Sequence, residues 1–194
     1  MDIRRDPSEG EPGFDDPLAL LAACHRRVER FLAAQIDITG YYGGEEMTAS
    51  DSGRMRAALE YFSHAAPRHT QDEEESLFPK LQLRADANLL ALAAELQAQH
   101  RQADPLHALA NRATQAWLDQ GTLPADQAAA LLADLQALEA LYASHIARED
   151  AELFPGARAC LKHVDLEIIG RELAARRGVD FDRWRATKAM LAHP

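Results

Sequence analysis

The sequence predicts an all-α protein whose helices pack around one core. Alanine and leucine, which favour helices, dominate the composition, whereas the β-branched residues that favour strands are sparse. Apolar residues recur three and four positions apart along most of the chain, which places them on one face of a helix. A chain of 194 residues with 47% hydrophobic content can bury one sizeable core. We therefore expect a single helical domain.

The first helix is predicted from Pro17 to about Gln35. Asp16 followed by Pro17 is typical of a helix N-cap and a first-turn proline. His25 lies on the apolar face, at a position where leucine would be expected. This face consists of Leu18, Leu21, His25, Val28 and Leu32. A connection rich in glycine and tyrosine is expected at residues 40–44.

The second helix is predicted to start within residues 49–54. Its apolar face runs in alternating steps of four and three and includes two ionisable residues. This face consists of Met55, Leu59, Phe62, Ala66, His69 and Glu73. Pro67 lies inside the pattern, so we expect a kink or local bulge just before His69. Pro79 is expected to end the helix, because proline cannot donate the backbone hydrogen bond.

The third and fourth helices repeat this arrangement. The third is predicted from about Asp86 to Gln120, with a bend at Pro105. Its face consists of Leu92, Leu96, His100, Ala103 and His107. A turn at Gly121 and Pro124 leads into the fourth helix, which is expected to end at Pro155. The face of the fourth helix consists of Leu131, Leu135, Leu138, Tyr142, His145 and Glu149.

After the fourth helix, a shorter amphipathic helix is expected near residues 164–177, followed by a helical piece around Trp184. Gly178, preceded by two arginines, is typical of a helix stop with cations at the negative end of the helix dipole. These last segments are predicted to pack across the other helices rather than to contribute to a site.

One motif occurs twice. The segment 69–79 recurs as the segment 145–155, a shift of 76 residues, and both carry a glutamate four residues after the histidine and then Leu-Phe-Pro. His25 and His100 are related by a shift of 75 residues. Residues four apart lie on one helix face one turn apart, so an imidazole and a carboxylate can reach a common point. The two shifts therefore indicate that the chain contains a duplicated pair of helices.

Six ionisable groups on these core faces predict a dinuclear metal centre. Such groups are costly to bury unless they are paired, and a metal cluster satisfies all of them. Imidazole nitrogen and carboxylate oxygen suit iron, manganese or zinc and disfavour Cu(I) or an iron–sulfur cluster. Two metal ions about 3.5–4 Å apart need bridging ligands, which one glutamate from each half can provide. The candidate ligands are His25, His69, Glu73, His100, His145 and Glu149.

This pattern resembles the hemerythrin family in its bacterial HHE cation-binding form, over residues 17–157. The resemblance implies an up-down-up-down four-helix bundle with extra C-terminal helices. It also implies a non-haem di-iron centre with oxo or hydroxo and carboxylate bridges, for which manganese or zinc can substitute. Carried over by position, the iron ligands are the six candidates given above. We expect residues 1–16 to form a flexible N-terminal segment and residues 158–194 to pack on the bundle.

The chain departs from the oxygen-carrying members of that family at two positions. Those proteins typically have a further histidine one turn after the one on the third helix, where this chain has Asp104. Their last carboxylate usually falls five residues after its histidine, where this chain has Asp150, whereas Glu149 matches the bacterial repair-type pattern. We interpret Asp104 as an exposed residue, with metal coordination as the alternative. Reversible oxygen carriage is therefore not the only function to consider.

Three further residues lie near the candidate ligands. His107 follows His100 by one heptad, about 10.5 Å along the helix axis, which is too far to share its metal. We interpret it as a packed core histidine, with a role beside the ligands or along a channel as the alternative. Tyr142 and Phe62 are expected either to wall the pocket or to pack in the core.

Composition and charge limit the cellular location and the binding partners that we expect. The net charge is −10, with acidic residues spread along the chain, so no basic face for nucleic acid is predicted and no binding to an anionic membrane. Residues 1–16 lack the apolar core of a signal peptide, and no run of 18 apolar residues occurs. Cys24 and Cys160 form no CxxC pair. We expect a cytoplasmic protein.

Together these features predict a di-iron protein that binds O2 or NO for sensing, storage or stress response. The alternative is a di-iron redox enzyme that reduces NO or peroxide, or an iron donor for the repair of iron–sulfur centres. A third interpretation is an accessory bundle with structural zinc. The sequence identifies no protein partner.

Overall fold

The protein is an all-α helical bundle, as predicted. The computed structural model describes residues 12–191, which form six continuous helical segments and contain no strand. We number these segments as α1 Pro17–Tyr42, α2 49–84, α3 Ala87–Gln120, α4 125–160, α5 His163–Arg176 and α6 Phe181–Leu191. Most of the expected flexible segment, residues 1–11, lies outside the described residues. None of the helices in the described part combines the length and apolar character that crossing a bilayer requires.

The predicted start of α1 is confirmed. The helix begins at Pro17, and the Asp16 carboxylate accepts a hydrogen bond from the Ala19 amide at 3.1 Å. This bond satisfies one of the first-turn amides that have no partner inside the helix.

The predicted end of α1 near Gln35 was wrong. The helix continues through Gly40 to Tyr42. The extra turns bury Ile38, and the Tyr42 hydroxyl donates a hydrogen bond to the Asp51 carboxylate at 2.9 Å. A glycine inside a helix costs only about 1 kcal/mol, and tertiary packing of this kind outweighs that cost.

Two glycines form the turn that follows α1. Gly43 and Gly44 have positive φ angles of 55° and 99°. The Gly44 carbonyl accepts a hydrogen bond from the Leu123 amide at 2.7 Å. A Cβ atom at Gly44 would collide with the Leu123 carbonyl, whereas a Cβ atom at Gly43 would meet open space. Only Gly44 is therefore fixed both by its backbone conformation and by a close neighbour.

We expect Gly44→Ala to destabilise the protein by about 3 kcal/mol, because a left-handed backbone strain adds to a clash with another backbone. Gly43→Ala is the matched control and should cost about 1 kcal/mol, since it carries the conformational strain alone. Urea unfolding of the two variants measures the difference. Equal losses would show that the approach of Leu123 does not constrain this turn.

The two Leu-Phe-Pro prolines do not end their helices, which corrects the prediction. α2 continues past Pro79 and α4 continues past Pro155. A π-helical turn precedes each proline, at Asp72–Leu77 and at Glu149–Leu153. Each proline lies in the first turn of the α-helical segment that follows, where its missing amide hydrogen is tolerated. The change from π to α register is what allows the helix to continue.

A third π-helical turn, Tyr61–Ala65, ends two residues before Pro67. This confirms the local bulge predicted before His69. Proline collides with the carbonyl four residues earlier in a regular α-helix, and a π turn is a common way to relieve that collision. Pro105 lies inside α3, which remains α-helical throughout.

The described chain divides into two compact units. The first contains residues 25–67 and 94–148 and has its own apolar core. Trp117 is fully buried in this core, and its indole N–H donates a hydrogen bond to the Glu45 carbonyl at 3.1 Å. Further core residues include Val28, Leu32, Ile38, Met55, Phe62, Leu131, Leu135 and Leu138.

The second unit contains residues 12–24, 68–93 and 149–191 of the described part. α5 and α6 belong to it, and both lie close to the predicted positions. Gly178, with a φ angle of 69°, follows α5 as the predicted stop, and its amide donates to the Ala175 carbonyl at 2.9 Å. Within this unit, Trp184 packs edge-on against Phe14, with ring centroids 5.1 Å apart.

Candidate metal centre

All six predicted ligand positions are buried, which is unusual for ionisable side chains. Both glutamates have no exposed surface, and the four histidines are at most 8% exposed. Each of the two glutamates lies at the beginning of a π-helical turn, Glu73 in Asp72–Leu77 and Glu149 in Glu149–Leu153. π-Helical turns occur frequently at functional sites. The local backbone therefore departs from α-helix at both carboxylates.

The six side chains form two overlapping groups of four. Within each group, one donor atom from every residue lies within 4.8 Å of the others. The first group is His25, His69, Glu73 and Glu149. The second group is Glu73, His100, His145 and Glu149. Both glutamates belong to both groups, which is the arrangement expected of two carboxylates that bridge a pair of metal ions.

Short contacts inside the groups aim donor atoms at common points. Nε2 of His69 lies 3.4 Å from Oε1 of Glu73, one helical turn away. Nε2 of His100 lies 3.2 Å from Nε2 of His145. Two imidazole nitrogens that face each other in this way can share a metal ion, since both can present a lone pair to the same point.

A residue that the sequence analysis missed orients His145. Nδ1 of His145 lies 2.9 Å from the amide oxygen of Gln99. Because an amide oxygen only accepts, the imidazole carries its proton on Nδ1 and leaves the Nε2 lone pair toward His100. Such a partner fixes the ring orientation of a metal-binding histidine and raises its basicity. The only sequence signal was the position of Gln99 next to His100.

The donor set fits a metal ion of the iron, manganese or zinc class. All donors are imidazole nitrogen or carboxylate oxygen, and their burial excludes bulk water from the cluster. Neither Cys24 nor Cys160 is a member of the two groups, and both are only half-buried. The structure thus brings together all six candidates, and their role as ligands is proposed below.

Other acidic and histidine residues lie outside these groups. Asp104 is exposed, which agrees with its interpretation as a surface residue, and Asp150 is exposed as well. His64 is exposed and lies 3.4 Å from the Glu60 carboxylate on its own helix. These residues are not placed to bind a metal ion held by the six candidates.

A further buried acidic residue, Asp72, precedes Glu73 and was also missed by the sequence analysis. It has no exposed surface, and its two oxygens accept hydrogen bonds from Arg176 at 2.7 Å and from Arg177 at 2.6 Å. Burial raises the pKa of the Asp72 carboxyl, and the hydrogen bonds and charges of the two arginines oppose that rise. The two arginines had been interpreted only as cations at a helix end.

His107 and Tyr142 form a hydrogen-bonded pair near His145. Nε2 of His107 lies 2.8 Å from the Tyr142 hydroxyl, and the imidazole packs on the Phe62 ring at 5.1 Å between centroids. The Tyr142 ring lies edge-on to His145 at 6.2 Å. Burial lowers the pKa of His107 to about 4, because the charged imidazolium would lose its hydration. The pair is therefore a packed phenol and a neutral imidazole at pH 7.

We expect this histidine to make stability depend on pH. Between the ordinary pKa of 6.5 and the folded pKa of about 4, only the unfolded chain binds a proton at His107. The free energy of unfolding should therefore fall as the pH drops through this window, by up to about 3 kcal/mol at pH 4.

His107→Gln is the matched variant, because glutamine keeps a hydrogen bond to Tyr142 but does not titrate. Urea unfolding of chelator-treated protein between pH 7 and pH 4 should show a smaller loss in the variant than in the wild type. Parallel pH profiles would mean that His107 is protonated in the folded state as readily as in the unfolded chain.

Comparison with known proteins gives two findings. The family model described as the Hemerythrin HHE cation binding domain matches residues 16–157. A protein of Haemophilus influenzae described as uncharacterized is 31% identical over 169 residues, which span 86% of this chain and 92% of the relative. The family match includes all six residues of the two groups.

Proposed function

This chain belongs to the hemerythrin HHE cation-binding family, and from that premise we propose that it is a cytoplasmic non-haem di-iron protein. It binds O2 or NO at the cluster of histidines and glutamates and serves sensing, storage or a stress response. The observation that carries the proposal is the pair of four-residue groups that share both Glu73 and Glu149.

The two groups would divide the ligands between two iron ions. His25 and His69 would hold one ion, and His100 and His145 would hold the other. Glu73 and Glu149, which belong to both groups, would serve both ions. Iron held by these residues would supply the binding of a small diatomic molecule. Manganese or zinc can occupy the same donors.

The surrounding residues prepare these donors before any metal binds. The Gln99 amide oxygen holds the proton of His145 on Nδ1 and so keeps its Nε2 lone pair available. Burial of both carboxylates keeps water from competing for them and strengthens their attraction for a cation. The same burial makes the metal-free cluster costly, so the residues favour a bound cation.

The alternative, a di-iron redox enzyme that reduces NO or peroxide, is favoured by the Tyr142 and His107 pair. Tyr142 would give one electron to the NO or peroxide that is reduced and its hydroxyl proton to Nε2 of His107, 2.8 Å away, which leaves a neutral tyrosyl radical. The pair lies one helical turn from His145, so an electron donor stands close to the proposed ligands. Release of iron for repair of iron–sulfur centres belongs to the same alternative.

Metal analysis combined with optical spectroscopy distinguishes these functions. Protein reduced without oxygen and then exposed to O2 should contain two irons per chain and develop a charge-transfer band. A band that disappears under vacuum supports binding or sensing. Irreversible oxidation without a lasting oxygen adduct favours the redox or repair alternative, for which turnover of NO or peroxide is the next assay. Fewer than two metal ions per chain would contradict the dinuclear centre.

A further inference from the structure

The carboxylate of Asp72 is held by two arginines from the far end of the chain. Arg176 is the last residue of α5, and Arg177 directly follows it. Arg176 binds Oδ1 of Asp72 at 2.7 Å and Arg177 binds Oδ2 at 2.6 Å, so each oxygen has its own guanidinium. Asp72 is fully buried, and the arginines are only 18% and 21% exposed. We call these three residues the arginine clamp.

Further hydrogen bonds tie the clamp to the backbone on both sides. Arg176 donates from Nη2 to the hydroxyl of Ser76 at 2.6 Å, and Ser76 is itself fully buried. Arg177 donates from Nη1 to the Leu173 carbonyl of α5 at 2.8 Å. The two arginines therefore bind the first and fifth residues of the π-helical turn Asp72–Leu77 and connect this turn to α5.

Glu73 lies between Asp72 and Ser76, the two residues of the turn that the arginines bind. A π-helical turn is rare because it is less favourable than regular α-helix, so it persists only where its surroundings hold it. Closing the turn into α-helix would shift the register by one residue, which corresponds to a rotation of about 100° at 3.6 residues per turn. A rotation of that size between the two sides of the turn would redirect Glu73, together with His69 one turn before it, relative to the segment that follows Leu77.

In the second copy of the motif, the corresponding position carries the opposite charge. Arg148 occupies the position before Glu149 that Asp72 occupies before Glu73. Arg148 lies 2.7 Å from the carboxylate of Glu95, but these side chains are 33% and 61% exposed. Exposed ion pairs contribute little to stability because water screens them. The chain therefore provides its own matched control, an ion pair of equal length beside the other glutamate.

We propose that Arg176 and Arg177 act through Asp72 as positioning residues for Glu73, which makes α5 part of the metal-binding structure. The clamp holds the π-helical turn in the register that directs Glu73 toward both groups of ligands. This inference rests on the proposed function, in which Glu73 is a bridging ligand. It gives the segment that follows residue 157, where the family match ends, a role in positioning Glu73.

The test replaces the clamp as a unit, because removing Asp72 alone would leave two arginines without the carboxylate that both bind. The triple variant Asp72→Leu, Arg176→Met and Arg177→Met keeps the volume apolar, a replacement that buried ion networks often tolerate. The control variant is Arg148→Gln with Glu95→Gln. Both are compared with the wild type by titration of the full-length, metal-free protein with Co²⁺, whose ligand-field absorption reports the number and geometry of its ligands.

We expect the clamp variant to bind Co²⁺ about 10–100-fold more weakly, as is typical when a group that orients a metal ligand is lost. Its absorption spectrum should change shape, whereas a loss of stability alone would leave the spectrum of the bound ion unchanged. Amide hydrogen exchange of the metal-free protein should become at least ten-fold faster at residues 72–77 and remain unchanged at residues 149–153. The control variant should match the wild type in all three measurements.

The outcomes separate this inference from the proposed function. If the wild type binds Co²⁺ and the clamp variant binds it with equal affinity and spectrum, the positioning role is wrong while the metal centre stands. If the wild type binds no Co²⁺, both proposals fail. If the triple variant does not fold, as judged by circular dichroism, Arg177→Gln replaces it, because Arg176 then still compensates Asp72. A smaller loss in the same direction is expected, and wild-type binding would overturn the inference.

Discussion

Glu149→Ala should reduce the metal content from two ions per chain to one or none. Glu149 belongs to both groups of donors, so its removal would take one oxygen donor from each of the two proposed metal ions. Loss of a residue that merely orients a ligand typically weakens metal binding 10–100-fold. Loss of a bridging ligand should exceed that range. Atomic absorption of protein purified after anaerobic loading with iron measures the stoichiometry.

A histidine variant should affect the binding of fewer metal ions than the glutamate variant. His69 belongs to the first group alone, so His69→Ala should weaken the binding of one metal ion and leave binding by His100 and His145 unchanged. Asp104→Ala is the control and should retain two irons, because Asp104 is exposed and belongs to neither group. Two irons retained in Glu149→Ala or His69→Ala would contradict the ligand assignment, and an iron lost in Asp104→Ala would make that residue a ligand.

The helices and the burial of the six polar positions were predictable because both follow from local periodicity. A histidine or glutamate that replaces leucine in a pattern of threes and fours must face the core if the helix forms. This reasoning placed His25 and His145 correctly among buried residues. It depends only on residues within a few turns of one another, which the sequence gives directly.

The sequence could not predict the features that depend on register or on distant partners. Pro79 and Pro155 were expected to end helices, since the rule for proline assumes an α-helical register that the π-helical turns change. Asp72 was missed because its partners lie more than 100 residues away in the chain, at positions 176 and 177. Gln99 was missed because a half-buried glutamine has no periodic signature.

Removing the metal should lower the stability of the wild-type protein substantially. The folded chain assembles the six donors and the unfolded chain does not, so bound metal stabilises the folded state by mass action. At a free metal concentration 1,000 times the dissociation constant this amounts to about 4 kcal/mol. For a chain of 194 residues that corresponds to a rise of about 10 °C in melting temperature. Calorimetry of iron-loaded and chelator-treated protein measures the difference.

The double variant Glu73→Gln with Glu149→Gln tests the cause of that difference. It should melt at the same temperature with and without metal, because amide side chains are poor ligands for iron. Its metal-free form should be more stable than the metal-free wild type by about 1–3 kcal/mol, since two fully buried carboxylates are replaced by neutral groups of the same shape. A metal-free variant no more stable than the wild type would show that the protein already compensates these charges without a cation. Greater stability together with lost metal binding would mean that the two buried carboxylates destabilise the metal-free protein and that their function is to bind metal.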